Sequence, residues 1–381
     1  MSTPSIALIP SGYKSGKVYS VLPTNGDGDL DFSRVGDATR VNENGLIEEM
    51  GTGVPRLDYS DGGCPSLLLE PQSTNLVEYS EDISNAYWAK TNSGTGILPS
   101  VTSNYSISPD GTQNADRVVF DLNGGTANGD ISQIAVSLGA VPSSDYTNSV
   151  YIKSNTANDY DLVLTNPNGT FVIKTINQEW QRFDTSTVGA TNISIRIRLR
   201  GDESTSDYAD VSIWGAQVEE LTYATSYIPT NGTTETRSAD SSSKSGLSSY
   251  INSSEGVFYL EVAALADDLT NRAITLSDGG SGNIVSLKFD NSSNQIEYDV
   301  QSNNVIQVGI DRVLTDTTDF NKIALKFKVN DFALWVNGVE IGSELSGETP
   351  IGLSEIIFNN NAGSFPFSGR LKINRFNIIK L

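Results

Sequence analysis

The sequence predicts an all-β protein, with two jelly-roll β-sandwiches in tandem after a short-stranded N-terminal segment. Three observations carry this reading. No window sustains an apolar period of 3.6 residues. Many short segments instead alternate apolar and polar residues. The cleanest is ISIRIRLR, where Ile193, Ile195, Ile197 and Leu199 are expected to face in and Arg196, Arg198 and Arg200 out. Turn signals such as Pro109-Asp110-Gly111, Asn123-Gly124-Gly125 and Asn168-Gly169 separate the segments at the spacing of a sandwich.

Residues 1–74 read as a lead-in of short strands. ATRV and LIEE flank Asn44-Gly45, a pair suited to a tight hairpin turn because it tolerates positive φ. PRLDY and SLLLEP follow. Residues 75–229 read as the first sandwich, with strands in DRVVFDL, GDISQIAVSL, NSVYIKS, YDLVLTN, FVIKTI, WQRFDTS, ISIRIRLR and ADVSIWGAQVE. The last has apolar bulk on both faces, as in a strand inside a two-sheet sandwich. The pattern stops at Pro229, so Thr230–Ser238 reads as a linker. Residues 230–381 read as the second sandwich, with strands in EGVFYLEVAAL, NIVSLKFD, QIEYDVQ, ALKFKVNDFALWVNGVEIG and GRLKINRFNIIKL. Asn330-Asp331 and Asn337-Gly338 mark two hairpin turns there.

Composition removes several function classes. The 381 residues include one cysteine, Cys64, and no histidine. Disulfides within the chain, cysteine or histidine zinc sites, and Ser-His-Asp or Cys-His catalysis are therefore excluded. A net charge of −21 disfavours nucleic acid, whose phosphates it repels. The segment MSTPSIALIPSGYKSGK has no basic stretch followed by a long apolar run. Neither a signal peptide nor membrane insertion is expected, and synthesis in a cytoplasm is. No phosphate loop or dinucleotide fingerprint is present.

The run IWGAQVE, then ATSYIPT, then TR resembles the last strand of a jelly-roll module of bacteriophage virion proteins: tail fibres, spikes and head fibres. That module resembles carbohydrate-binding modules. The order DATRVNENGLIEE, VPRLDY, LLLEPQSTNL also resembles such proteins, and residues 230–381 resemble concanavalin A-like and laminin-G-like domains. The resemblance implies a structural and adhesive virion component that binds host-surface or environmental glycans. It implies other virion proteins (capsid or tail) and cell-surface polysaccharide as partners, a homo-oligomer, most simply a trimer, and location in the virion. The alternatives are a decoration or spacer protein without glycan binding, and a polysaccharide depolymerase.

Candidate site residues follow from chemistry and from this resemblance. Sugar-binding sandwiches place aromatic rings against the C–H face of a pyranose, with amides and carboxylates on its hydroxyls. Trp335 is expected opposite Phe332, Leu334 and Val336, beside Asn337. Trp88 and Tyr87 are further glycan candidates, although Trp88 also reads as a pin for the opening segment. Trp180 and Trp214 read as core. The resemblance implies a structural Ca²⁺ on Asp210, with Glu78 and Asp116 assisting; the competing reading is capped carboxylates. The Glu-x-Asp-x-x-Glu string of laminarinase-type jelly rolls does not occur. With histidine also absent, the chain is expected not to be an enzyme.

Overall fold

A computed structural model describes residues 4–377. These are all β-strand, turn and loop, and every strand pair is antiparallel. The chain divides into two compact units, one of residues 1–43, 49–72 and 238–381, the other of 44–48 and 73–237.

The first unit is a sandwich of two sheets. One sheet runs Val339–Glu344, Phe332–Val336, Asn321–Lys328, Glu255–Ala264, Gly369–Asn377, Ser66–Leu69, Arg56–Asp58, with Ile6–Leu8 also on Gly369–Asn377. The other runs from Tyr13–Lys14 through Lys17–Val18, Leu30–Ser33, Ser241–Lys244, Glu355–Ile357, Arg272–Ser277, Ile284–Phe289 and Gln295–Ser302 to Val305–Val313. Inward residues of both sheets, among them Phe258, Leu260, Leu325 and Leu334 from one and Leu276, Leu287, Tyr298 and Val300 from the other, share one core. The last four residues of the predicted final strand lie outside the described residues.

The domain boundaries therefore differ from those expected. Residues 1–74 are not a separate lead-in, because their strands complete both sheets of the C-terminal sandwich. Leu67 pairs with Leu371, and Phe32 with Ser242. The Arg56 guanidinium is buried and donates to Glu70 (2.5 Å) and to Asp240, while Arg34 donates to Asp240 (3.2 Å). Removing one partner from such a network would leave an uncompensated buried charge, which costs about 3–5 kcal/mol. The Asn44-Gly45 hairpin is present, but its connection spans residues 42–46 rather than two.

The second unit is built on one eight-stranded sheet folded over its own core. Its order is Ile97–Ser106, Ala115–Asp121, Tyr208–Glu219, Ile131–Ser154, Gln181–Arg200, Tyr160–Thr165, Phe171–Ile176, with Ala89–Ser93 also on Ile131–Ser154. Two long strands carry the fold-over. The first part of Ile131–Ser154 pairs with Ala89–Ser93 and the last part with Tyr208–Glu219. Register shifts between Ser137 and Tyr146 lie where its pairing changes, and bulges of this kind bend a strand. The expected linker is structured: Glu235–Arg237 pairs with Ser73–Asn75. Buried Asn75 donates to the carbonyls of Ala216 (3.2 Å) and Ile228 (2.9 Å) and accepts from the amides of Val77 and Val218 (both 3.1 Å). All four polar functions of this side chain are satisfied.

Candidate functional site

The stretch Val211–Arg237 builds the back of a cleft in the second unit. Trp214 is buried, and the ring of Tyr227 lies 4.4 Å from it. That contact aims the Tyr227 hydroxyl, which bonds Ser80 (2.6 Å) and donates to Glu81 (3.0 Å). Thr230 donates its hydroxyl to the Val77 carbonyl (2.6 Å), and Asn231 bridges to Tyr79. The cleft, about 390 Å³, is lined by Tyr79, Glu81, Asp82, Ser84, Ser103, Asn104, Asn114, Asp116, Thr230 and Asn231.

Its carboxylates are held by fixed donors. Asp116 accepts from the amides of Asn104 and Ser84, both at 2.9 Å. Asn104 reaches it with φ of 51°, a left-handed conformation that asparagine tolerates better than most residues. Glu81 accepts from Asn114 Nδ2 (3.0 Å) as well as from Tyr227. Burial pushes both carboxyls above their ordinary range, because the interior disfavours the charged form. Asp82 is exposed at the rim. Tyr79 supplies the aromatic wall, its ring 5.5 Å from that of Tyr87.

The predicted residues are distributed as follows. Asp116 lies in the cleft. Tyr87 stands behind Tyr79, half-buried, its hydroxyl accepting from the Glu78 amide (3.2 Å). Trp88 is not a glycan contact: it is 0% exposed, packs in the core and donates Nε1 to the Tyr79 carbonyl (2.9 Å). Trp180, expected in the core, is half-buried under Lys153, whose Nζ is 5.2 Å from the ring centroid.

Asp210 does not join Asp116. It accepts from Arg117 Nε (2.8 Å) and Nη2 (2.5 Å) and from Asn155 (2.9 Å). A carboxylate already paired bidentately offers Ca²⁺ no free ligand edge, and Ca²⁺ requires six or more oxygens. Asp210, Glu78 and Asp116 therefore do not fit the ion as one ligand set.

In the first unit Trp335 lies outward as expected. It is 39% exposed while Phe332, Leu334 and Val336 are buried. The ladder places it beside Ala324, then Tyr259, then Arg375, in one row across four strands. Asn337 is committed elsewhere. It occupies the turn with φ of 50°, followed by Gly338 at 87°, accepts from the Lys322 amide (2.9 Å) and donates to Asn321 (3.0 Å).

Sequence reading missed Tyr79, Glu81 and Asn104. The available signal was YSED beside Tyr87 and Trp88, a small aromatic and acidic cluster at the start of a module.

No protein-family model matches the sequence, and no curated protein matches it. Among solved structures the chain has distant similarity to β-sandwich proteins. It is similar to the CBM22-1–CBM22-2 tandem domain of Paenibacillus barcinonensis Xyn10C, with a TM-score of 0.28 and 13% identity over 81% of this chain and 99% of that one. For a Bacillus licheniformis β-glucanase the values are 0.29 and 10%, over 38% and 73%. For the enzymatically active domain of bacteriophage CBA120 tailspike protein 4 they are 0.24 and 10%, over 38% and 21%. At scores this low, nothing that those proteins do passes to this chain.

Proposed function

We propose that the chain is a non-enzymatic adhesive and structural component of a phage virion, and that it binds glycan through the cleft walled by Tyr79. The virion context rests on the IWGAQVE, ATSYIPT and DATRV runs. The glycan reading rests on one observation: a tyrosine face, buried Asp116, half-buried Glu81 and the amides of Asn104, Asn114 and Asn231 converge on one cleft. This is the chemistry that grips a pyranose. Capsid or tail proteins and self-association, most simply as a trimer, complete the proposal.

A depolymerase reading has one feature in its favour, the presence of Glu81 and Asp116 in the same cleft. Against it, each oxygen of both carboxylates accepts from a fixed donor. Groups held this way are suited to orienting hydroxyls rather than to cycling a proton.

The test is affinity for host capsular or cell-wall polysaccharide by calorimetry, with reducing ends assayed in parallel. Tyr79→Ala should weaken binding by about tenfold, the factor for a loss of about 1.4 kcal/mol, and no reducing ends should appear. Unchanged affinity in both Tyr79→Ala and Asp116→Asn would remove the cleft from the proposal. Turnover abolished by Glu81→Gln would make the protein an enzyme.

A further inference from the structure

The strand Gln181–Arg200 carries Arg196, Arg198 and Arg200 on the face opposite Ile195, Ile197 and Leu199, which line the core. Pairing extends that face over five strands. One row is Thr91, Gln133, Arg198, Val163, Ile173; a flanking row holds Ala89, Ala135 and Arg196, and another Ser93, Ile131 and Arg200. The arginines form the central column.

Arg198 is the anomaly. It is 5% exposed, and its Nε and Nη2 have no hydrogen-bond partner among the described residues. In a chain of net charge −21, no carboxylate among the described residues pairs with it. Its charged neighbours are Arg196 and Arg200, and Arg200 is itself tied to Asn128 and Asp202. Burial, then those two arginines, lower the Arg198 pKa to about 10. The ring of Phe171 covers it, 4.4 Å from the guanidinium carbon of Arg198 and also of Arg200. An uncompensated buried cation costs stability, and such a cost is typically carried where function requires it.

We propose that this face is a second binding site, for a carboxylate-bearing sugar unit of a polysaccharide, with Arg198 as the anion-pairing residue. A planar carboxylate matches the guanidinium fork and satisfies donors that the fold leaves unpaired, reaching them as the covering Phe171 ring, on the edge strand of the sheet, turns aside. Half-buried Arg196 is the second cation at the site, and Phe171 and Ile173, 42% and 47% exposed, offer apolar surface to the sugar ring. A long polyphosphate is disfavoured by the net charge, whereas a single sugar acid meets only the local column. This inference does not depend on the Tyr79 cleft.

The experiment compares the full chain's affinity for trigalacturonate, for the same oligomer with its carboxyls reduced to alcohols, and for single-stranded oligothymidylate. Trigalacturonate should bind about tenfold more tightly than its reduced form. Arg198→Met should lose that preference while melting at the same or a higher temperature, because an unpaired buried charge is gone. Tyr79→Ala should keep the preference. If Arg198→Met does not fold, Arg196→Gln decides, with a preference reduced about threefold expected. No preference in the wild-type chain, a preference undiminished in the folded Arg198→Met or in Arg196→Gln, or equal binding of oligothymidylate would overturn the assignment.

Discussion

Ser73 lies directly across from Arg237 in a short antiparallel ladder, next to Thr74 and Thr236, whose hydroxyls are 2.8 Å apart although 162 positions separate them. The chain thus leaves the first unit and returns to it through paired strands, whose Cα partners stand about 5 Å apart. Residues 73–237 are an insertion within the C-terminal sandwich, rather than the first of two domains in line.

An excised 73–237 fragment should therefore fold cooperatively by itself. It should melt below the full chain, because Ile47, buried with Ala115, Trp214 and Tyr227, is left behind. Losing a buried isoleucine costs about 2–4 kcal/mol. Circular dichroism melts and amide exchange on the fragment check this, and a broad, non-cooperative transition would count against an autonomous insert. A single proteolytic cut in 230–238 should not separate two folded halves, since one sandwich needs chain from both sides of the insert.

The Arg117–Asp210 pair carries a second prediction. Burial works against the charged Asp210 carboxylate, but hydrogen bonds from Arg117 and Asn155 together outweigh it and hold the carboxyl below its ordinary range. Its folded pKa is depressed, so its contribution is complete above the unfolded value of about 3.9 and is lost as pH falls through the folded value. Asp210→Asn should cost about 1–3 kcal/mol at neutral pH, with the difference from wild type shrinking in acid. A chelator should leave the melting temperature unchanged. A large fall on chelation would show that a divalent ion holds the fold after all.

These residues also show where the sequence was legible. Alternation placed Ile193, Ile195, Ile197 and Leu199 inward and set Trp335 opposite Leu334, because one buried face fixes a strand's two sides. Alternation says nothing of what covers the other side. Arg198 therefore read as solvated, although Phe171 from another strand lies over it. Nesting was invisible for a related reason: no local signal encodes the pairing of Leu67 with Leu371. Asn337 read as a ligand beside Trp335, but a two-residue turn consumes its side chain. Trp88 read both ways, and the Tyr79 carbonyl decides for the core.

Asp299 gives a pH prediction of opposite sign. Burial first, and then the charge of Glu297 two residues along the same strand face, raise its carboxyl from 3.8 to about 8. The folded state binds a proton that the unfolded chain releases near pH 4, so stability declines between these values as pH rises. The slope is at most about 1.4 kcal/mol for each pH unit crossed. Asp299→Asn should abolish this contribution. The variant should therefore gain on the wild type steadily from pH 5 to about pH 8 and level off above it in parallel melts, and a constant difference would mean that Asp299 is ionised throughout.

The last prediction separates a surface tryptophan from a core one. Trp335 lies beside Ala324, with Tyr259 on the next strand, so two rings flank a small residue on one face. Alternate strands lie about 10 Å apart, which sets the spacing of the two rings on this platform. Trp335→Ala removes a cross-strand contact on an exposed face and should cost about 1 kcal/mol. A buried tryptophan would cost about 3–5 kcal/mol. If the platform holds glycan, the same change should weaken attachment to host cells by about tenfold, and Tyr259→Ala should act in the same direction. Loss of stability on the larger scale would assign Trp335 to packing. Unchanged stability with unchanged attachment would leave the Tyr79 cleft and the arginine face as the remaining sites of contact, and would make the first unit a spacer.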